Sequence, residues 1–245
     1  MHVIEAKGFR IPIIGLGTWT LHGRDCARLT EQAIRVGYRH IDTAQMYDNE
    51  GEVGEGVRAS GKRNEVMVTT KVQPTMLAPL DLERSVKESL ARLRLDVIDL
   101  LLIHWPNPRV PLSETLGAMA KMRREGYARA IGVSNFTVAL LDEANKLCSE
   151  PLVCNQVECH PYLDQDKVIA AARDRTIGHR GHAVSAASRV TSCSSVSARY
   201  TKRLQRRFAY AGSRSRASQS FRAPARSSDC RRISPFSISD CQILR

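Results

Sequence analysis

Six times between residues 13 and 173, a short apolar run rich in β-branched residues is followed by a stretch with the period of an amphipathic helix. Ile13–Trp19 reads as a strand and Cys26–Gly37 as a helix. His40–Ala44 and Glu50–Ser60 repeat the order. Val66–Val72 is the next strand, and Leu82, Val86, Leu90 and Leu93 then fall on one helical face. Val97–Trp105 contains VIDLLLI, the continuous apolar run of a parallel strand buried on both faces. Leu112–Arg124 (helix), Ala128–Ser134 (strand), Val138–Leu147 (helix), Val153–Cys159 (strand) and a helix holding Lys167–Arg173 complete the series. Such alternation implies a parallel sheet with right-handed crossovers. Its two common forms are the doubly wound open sheet and the (β/α)8 barrel. No GxGxxG opens the first helix, and GLGTW at 15–19 resembles that fingerprint only superficially. The expected fold is therefore α/β, an incomplete (β/α)8 TIM barrel with about six βα units.

Polar and ionisable side chains stand where these strands end, which in a barrel is the catalytic face. HIDTAQMYDNE places Asp42 at one strand end and Tyr47 in the loop beyond it. VTTKV places Lys71 at the next strand end, and LLIHWP places His104 at the one after. A phenol donates poorly near neutrality because its unperturbed pKa is about 10. A lysine ammonium beside it favours the phenolate, and a carboxylate keeps that ammonium charged and oriented. A histidine can orient a carbonyl oxygen while the phenol protonates it. Taken singly, a loop tyrosine, a strand-end lysine and a histidine in an apolar run are each explained by packing or solvation. Together on successive strand ends they describe a proton-donating site.

GYRHIDTAQMYDNE, VTTKV, LLIHWP, IGVSNF and NQVECHPY, in this order and spacing, resemble the aldo-keto reductase family over about residues 8 to 173. The likeness is greatest to its bacterial 2,5-diketo-D-gluconate and methylglyoxal reductase branch. The resemblance implies a (β/α)8 barrel that reduces an aldehyde or ketone to an alcohol with NADPH, the substrate being a small molecule such as a keto-sugar acid or a 2-oxoaldehyde. Tyr47 would supply the proton, Lys71 and Asp42 would tune it, and His104 would orient the carbonyl. Ser134, Asn135 and Gln156 match positions that hydrogen-bond the nicotinamide carboxamide. Gly17 and Thr18, with Asp42, match positions beside the cofactor. Trp19 and Trp105 would wall the substrate pocket with Tyr47 and His104. No metal is implied, and the family's usual form is a monomer.

Character changes near Asp174. From there to Arg245 the chain holds 14 arginines, one lysine, three aspartates, no glutamate and 15 serines. The whole chain's net charge of +12 belongs to this segment, since residues 1–173 carry 22 basic and 22 acidic side chains. Two domains of description result, 1–173 as a partial barrel and 174–245 as an Arg/Ser-rich tail without helical or strand period. Three origins compete for the tail: a disordered RNA-binding segment, a divergent barrel end, and an out-of-frame translation. The last is favoured, because the break falls inside a βα unit and SRSRAS at 213–218 is the only hint of an RS repeat. By the resemblance, a seventh strand carries an aromatic that stacks on the nicotinamide; Ser185–Val190 stands near that place without one. The Lys, Ser and Arg that reach the 2′-phosphate of NADPH have no match. The expectation is weak cofactor binding and impaired activity. The alternative is a non-enzymatic barrel fragment whose basic tail contacts nucleic acid, disfavoured because the tail has few aromatics for base stacking.

Seven cysteines form no CxxC pair and their number is odd, which argues against a disulfide framework or zinc site. No apolar run reaches membrane-spanning length, and MHVIEAKGFR lacks the apolar core of a secretory signal. A soluble, cytoplasmic protein is expected.

Overall fold

The computed structural model describes residues 2–160, 163–174 and 178–182. The chain opens with an antiparallel hairpin, β1 (Val3–Ala6) and β2 (Phe9–Pro12), paired from Val3↔Pro12 to Ala6↔Phe9. Lys7 and Gly8 make its two-residue turn with φ of 48° and 79°. Both central residues of a primed turn need positive φ, and glycine takes the second without strain.

Alternation then begins. The strands are β3 (Leu16–Gly17), β4 (His40–Asp42), β5 (Met67–Val72), β6 (Ile98–Ile103), β7 (Ala128–Ser134) and β8 (Leu152–Glu158). The helices between and after them are α1 (Gly23–Arg35), α2 (Glu50–Ala59), α3 (Pro79–Leu93), α4 (Leu112–Arg124), α5 (Val138–Leu147) and α6 (Asp166–Asp174). A further strand, β9 (Gly178–His182), follows α6. All seven strands from β3 to β9 lie parallel in one sheet, in chain order. This is the strand order of a (β/α)8 barrel, with six βα units and a seventh strand.

The expected elements fall within a few residues of the observed ones. Three features differ. The hairpin was not anticipated, and the first strand shortens to Leu16–Gly17. The third is β9, which pairs with β8 from Cys154↔Gly178 to Glu158↔His182 although GHRGH has no apolar alternation. Backbone pairing to a strand already in place carries it, and that leaves no mark in a hydrophobic pattern. The seventh strand thus stands at Gly178–His182; Ser185–Val190, with residues 183–245 altogether, lies outside the described residues.

Alternation of side chains across the strands divides the core. Leu101, Ile103, Ile131 and Val133 face outward against Leu82, Val86, Leu90, Leu116, Met119 and Leu141 of the helices. Leu100, Leu102, Ala130 and Cys154 face inward, and Ala6 and Ile11 of the hairpin close that interior from below together with Met67. Among the described residues, no helix is long and apolar enough to cross a membrane.

Candidate active site

Inward parity decides which side chains meet above this plug. On β4 the inward residues are His40 and Asp42, while Ile41 packs outward. His40 and Thr69 form the layer below, with His40 Nε2 and Thr69 Oγ1 2.8 Å apart. One step higher stand Asp42 and Lys71, and beyond the ends of their strands lie Tyr47 and His104. Tyr47 is brought back over the sheet by a single 3-10 turn, Gln45–Tyr47, which ends at Asp48 in a left-handed conformation (φ 51°). Gln45 braces that turn against α3, donating to Ser85 O and Ser89 Oγ, and accepts from Gln73 N.

Lys71 is fully enclosed, at 1% exposure, and Asp42 is 3% exposed. The lysine Nζ donates to Asp42 Oδ1 at 2.5 Å, to Thr43 O at 3.0 Å and to Tyr47 Oη at 3.2 Å. Three acceptors satisfy all three ammonium protons, so the charge is held without water. Burial pushes the Asp42 carboxyl up, but the Lys71 ammonium, His40 and the hydrogen bonds from Lys71 and Gln156 outweigh it, leaving it below its ordinary range. Burial likewise presses Lys71 down, and the Asp42 carboxylate and Tyr47 outweigh it, leaving the ammonium above its ordinary range. The tyrosine and His104 rings meet edge to face, with centroids 5.6 Å apart at 82°. A phenol hydroxyl, a buried ammonium and an imidazole thus stand side by side at the C-terminal ends of the strands.

The other strands supply amides and a hydroxyl. Gln156 reaches across from β8 and donates Nε2 to Asp42 Oδ2 at 2.7 Å, 114 residues away in sequence. Ser134 at the end of β7 donates to Gln156 O at 2.8 Å. Asn135 takes a left-handed conformation (φ 62°) and donates Nδ2 to His104 O at 2.9 Å and to Ser134 Oγ at 3.1 Å. Gly17 pairs with Asp42 across β3 and β4, and Thr18 donates both N and Oγ1 to Asp42 O. Trp19 and Trp105 follow the ends of β3 and β6 and are 41% and 50% exposed. A cavity of about 230 Å³ at the opposite end, lined by Arg10, Arg39, Asp99 and Arg129 among others, involves none of these residues.

All the residues singled out in the sequence therefore stand at the C-terminal ends of the strands or in the loops just beyond. Sequence reasoning missed Thr43, whose carbonyl accepts a hydrogen bond from Lys71 Nζ, and Asn49, which ties two of the loops. Asn49 directly precedes a helix and reads there as an ordinary N-cap.

Comparisons with known proteins bear on the family. The family model described as "Aldo/keto reductase family" matches residues 13–222. Methylglyoxal reductase DkgB of Escherichia coli O157:H7 is 43% identical over 171 residues, which are 68% of this chain and 64% of that protein. The chain thus spans less than two-thirds of that relative's length. A solved structure named for 2,5-diketo-D-gluconic acid reductase B superposes with a TM-score of 0.72 at 44% identity, covering 73% of this chain and 64% of the other. A thermostable aldo-keto reductase solved with the inhibitor epalrestat gives a TM-score of 0.71 at 35% identity, covering 87% and 81%. The parallel strand order, the Tyr47–Lys71–Asp42 chain at its C-terminal end and a family match over most of the sequence lead to one conclusion: this chain belongs to the aldo/keto reductase family.

Proposed function

We propose that the protein reduces an aldehyde or ketone to an alcohol with NADPH, and that Tyr47 donates the proton. The observation that carries this reading is the unbroken hydrogen-bonded line from Tyr47 Oη through Lys71 Nζ to Asp42, set beside His104 at the C-terminal end of the sheet.

The cofactor fit rests on the polar set at β7 and β8. Among the described residues, no hydrogen bond engages Asn135 Oδ1 or Gln156 Oε1, while the nitrogens of both amides are bonded to the protein. Two held amide oxygens beside the Ser134 hydroxyl suit the N–H donors of a carboxamide. Ser134, Asn135 and Gln156 would hold the nicotinamide there, with Gly17, Thr18 and Asp42 alongside. When bound, the reduced nicotinamide supplies a hydride to the carbonyl carbon.

The chain's own residues do the rest. His104 and Tyr47 orient the carbonyl oxygen, and Tyr47 passes its hydroxyl proton to that oxygen as negative charge develops. The phenolate left behind is stabilised by the Lys71 ammonium 3.2 Å away. Asp42 holds that ammonium charged against the downward pull of burial. Trp19 and Trp105 form apolar walls that keep water from the reacting carbon. Similarity to proteins named for methylglyoxal and 2,5-diketo-D-gluconic acid favours a 2-oxoaldehyde or keto-sugar acid as substrate. By family resemblance, the activity belongs to a cytoplasmic monomer.

Oxidation of NADPH by small aldehydes at millimolar cofactor tests the reading. Tyr47→Phe keeps the ring and removes the proton, and the rate should fall by at least about 100-fold, the usual scale for losing a positioned acid. Activity that survives the change refutes Tyr47 as donor.

A further inference from the structure

Asn49 stands at the N-cap of α2, where an asparagine side chain ordinarily accepts a hydrogen bond from the helix's own first turn. Here it makes no capping bond. It is fully buried and turned the other way. Its Nδ2 donates to Thr18 O at 2.7 Å and to Leu21 O at 2.9 Å, and its Oδ1 accepts from Thr43 Oγ1 at 2.7 Å. Two carbonyl acceptors on one side and a hydroxyl on the other fix which way the amide points.

The partners belong to two different loops. Thr18 and Leu21 flank Trp19 in the loop after β3. Thr43 opens the loop that carries Tyr47, and its carbonyl receives Lys71 Nζ. Asp42 O holds Thr18 from the strand side, and Leu21 N donates back to Thr18 O at 3.0 Å; Asn49 ties this turn to the loop that carries Tyr47. A buried amide that forgoes its helix cap thus bridges the loop that carries Trp19 and the loop that carries Tyr47.

We propose that Asn49 is a positioning residue which fixes the Trp19 loop against the Tyr47–Lys71 pair. Its effect on turnover rests on the reductase reading above; its effect on the loop does not. Serine and aspartate are both good N-caps. Asn49→Ser and Asn49→Asp therefore leave a residue suited to the start of α2 while removing both amide N–H donors, and thermal melts identify the folded variants. Hydrogen exchange of the full-length protein should show faster exchange in the peptide spanning Thr18–His22 for Asn49→Ser. With reductase activity present, kcat should fall about 100-fold, the scale expected when a reacting group is displaced by about 1 Å.

Asn49→Asp adds a signature that a purely structural role would not give. The introduced carboxylate faces two carbonyl oxygens in a buried site, so it takes up a proton well above the ordinary carboxylate range. Between roughly pH 8 and pH 6 it regains one donor, and kcat should rise relative to the parent protein. Unchanged kcat, unchanged exchange at Thr18–His22 in the folded serine variant, or an aspartate variant whose relative kcat does not rise toward pH 6 overturns the proposal. If the parent protein shows no reduction at all, the reductase reading fails, and the exchange measurement alone decides the role of Asn49.

Discussion

Lys71 and Asp42 are a buried ion pair, and such pairs stabilise only when every charge finds a partner. Here the lysine has three acceptors, and the carboxylate is reached by Lys71 on one oxygen and Gln156 on the other. Removing one member leaves the other charged in a dry site. Lys71→Met should therefore cost about 3–5 kcal/mol at neutral pH, the range for breaking a buried pair, read as a drop in the urea midpoint. The pH dependence follows from the two shifts. Asp42 is lowered, so its contribution is complete above the ordinary carboxylate range and is lost as pH falls through its depressed folded value. Lys71 is raised, so its contribution is complete below the ordinary ammonium range and is lost as pH rises through its elevated folded value. The difference between parent and Lys71→Met should be largest between these limits and shrink in acid. Adding Asp42→Asn to Lys71→Met should recover part of the loss; no recovery would mean the pair is not the source. The four catalytic candidates were legible because each stands at or just past a strand end. The Gln156–Asp42 contact was not, because it depends on the sheet curling until β4 and β8 face each other.

Helix α2 shows how tightly elements can be fitted. A Cβ placed on Gly54 would lie 2.1 Å from Leu93 O, and backbone at that distance cannot give way as a side-chain tip can. Gly117 lies exposed within α4, and a Cβ there meets nothing within 4 Å. Helix propensity alone favours alanine over glycine at both sites by about 1 kcal/mol. Packing should split them. Gly117→Ala should raise stability by roughly 0.5–1 kcal/mol, while Gly54→Ala should lower it by about 1–3 kcal/mol as α2 and α3 are forced apart. Parallel thermal melts of the two variants check this; equal and positive shifts would sink the packing account. Helices such as α3 were legible because Leu82, Val86, Leu90 and Leu93 repeat at helical spacing. The β1–β2 hairpin has only a Lys-Gly turn and two four-residue strands to announce it, and β9 has only its backbone. Neither carries the side-chain period on which the other elements were read.

At the scale of the molecule, the described strands gather the residues proposed to hold the nicotinamide, and the sequence after Asp174 bears on the proposed cofactor's other end. Recognising a 2′-phosphate takes cations fixed at hydrogen-bonding distance, since charge-assisted bonds give most of their energy and specificity in set geometry. Residues 174–245 hold 14 arginines but no stretch matching the Lys, Ser and Arg that the family places on that phosphate. Unplaced positive charge attracts NADPH and NADH alike, with only a modest surplus for the more anionic one, and salt screens it. The Debye length shrinks from about 30 Å at 0.01 M salt to about 8 Å at 0.15 M. Fluorescence titrations with both nucleotides at these two ionic strengths should show binding weaker than micromolar and a preference for NADPH that fades as salt is added. A site built from positioned groups behaves otherwise, because contacts at about 2.8 Å lie well inside either screening length. Micromolar binding with a preference for NADPH that persists at the higher salt would show that the chain carries a formed phosphate site despite its missing motif, and would overturn the expectation of impaired cofactor binding.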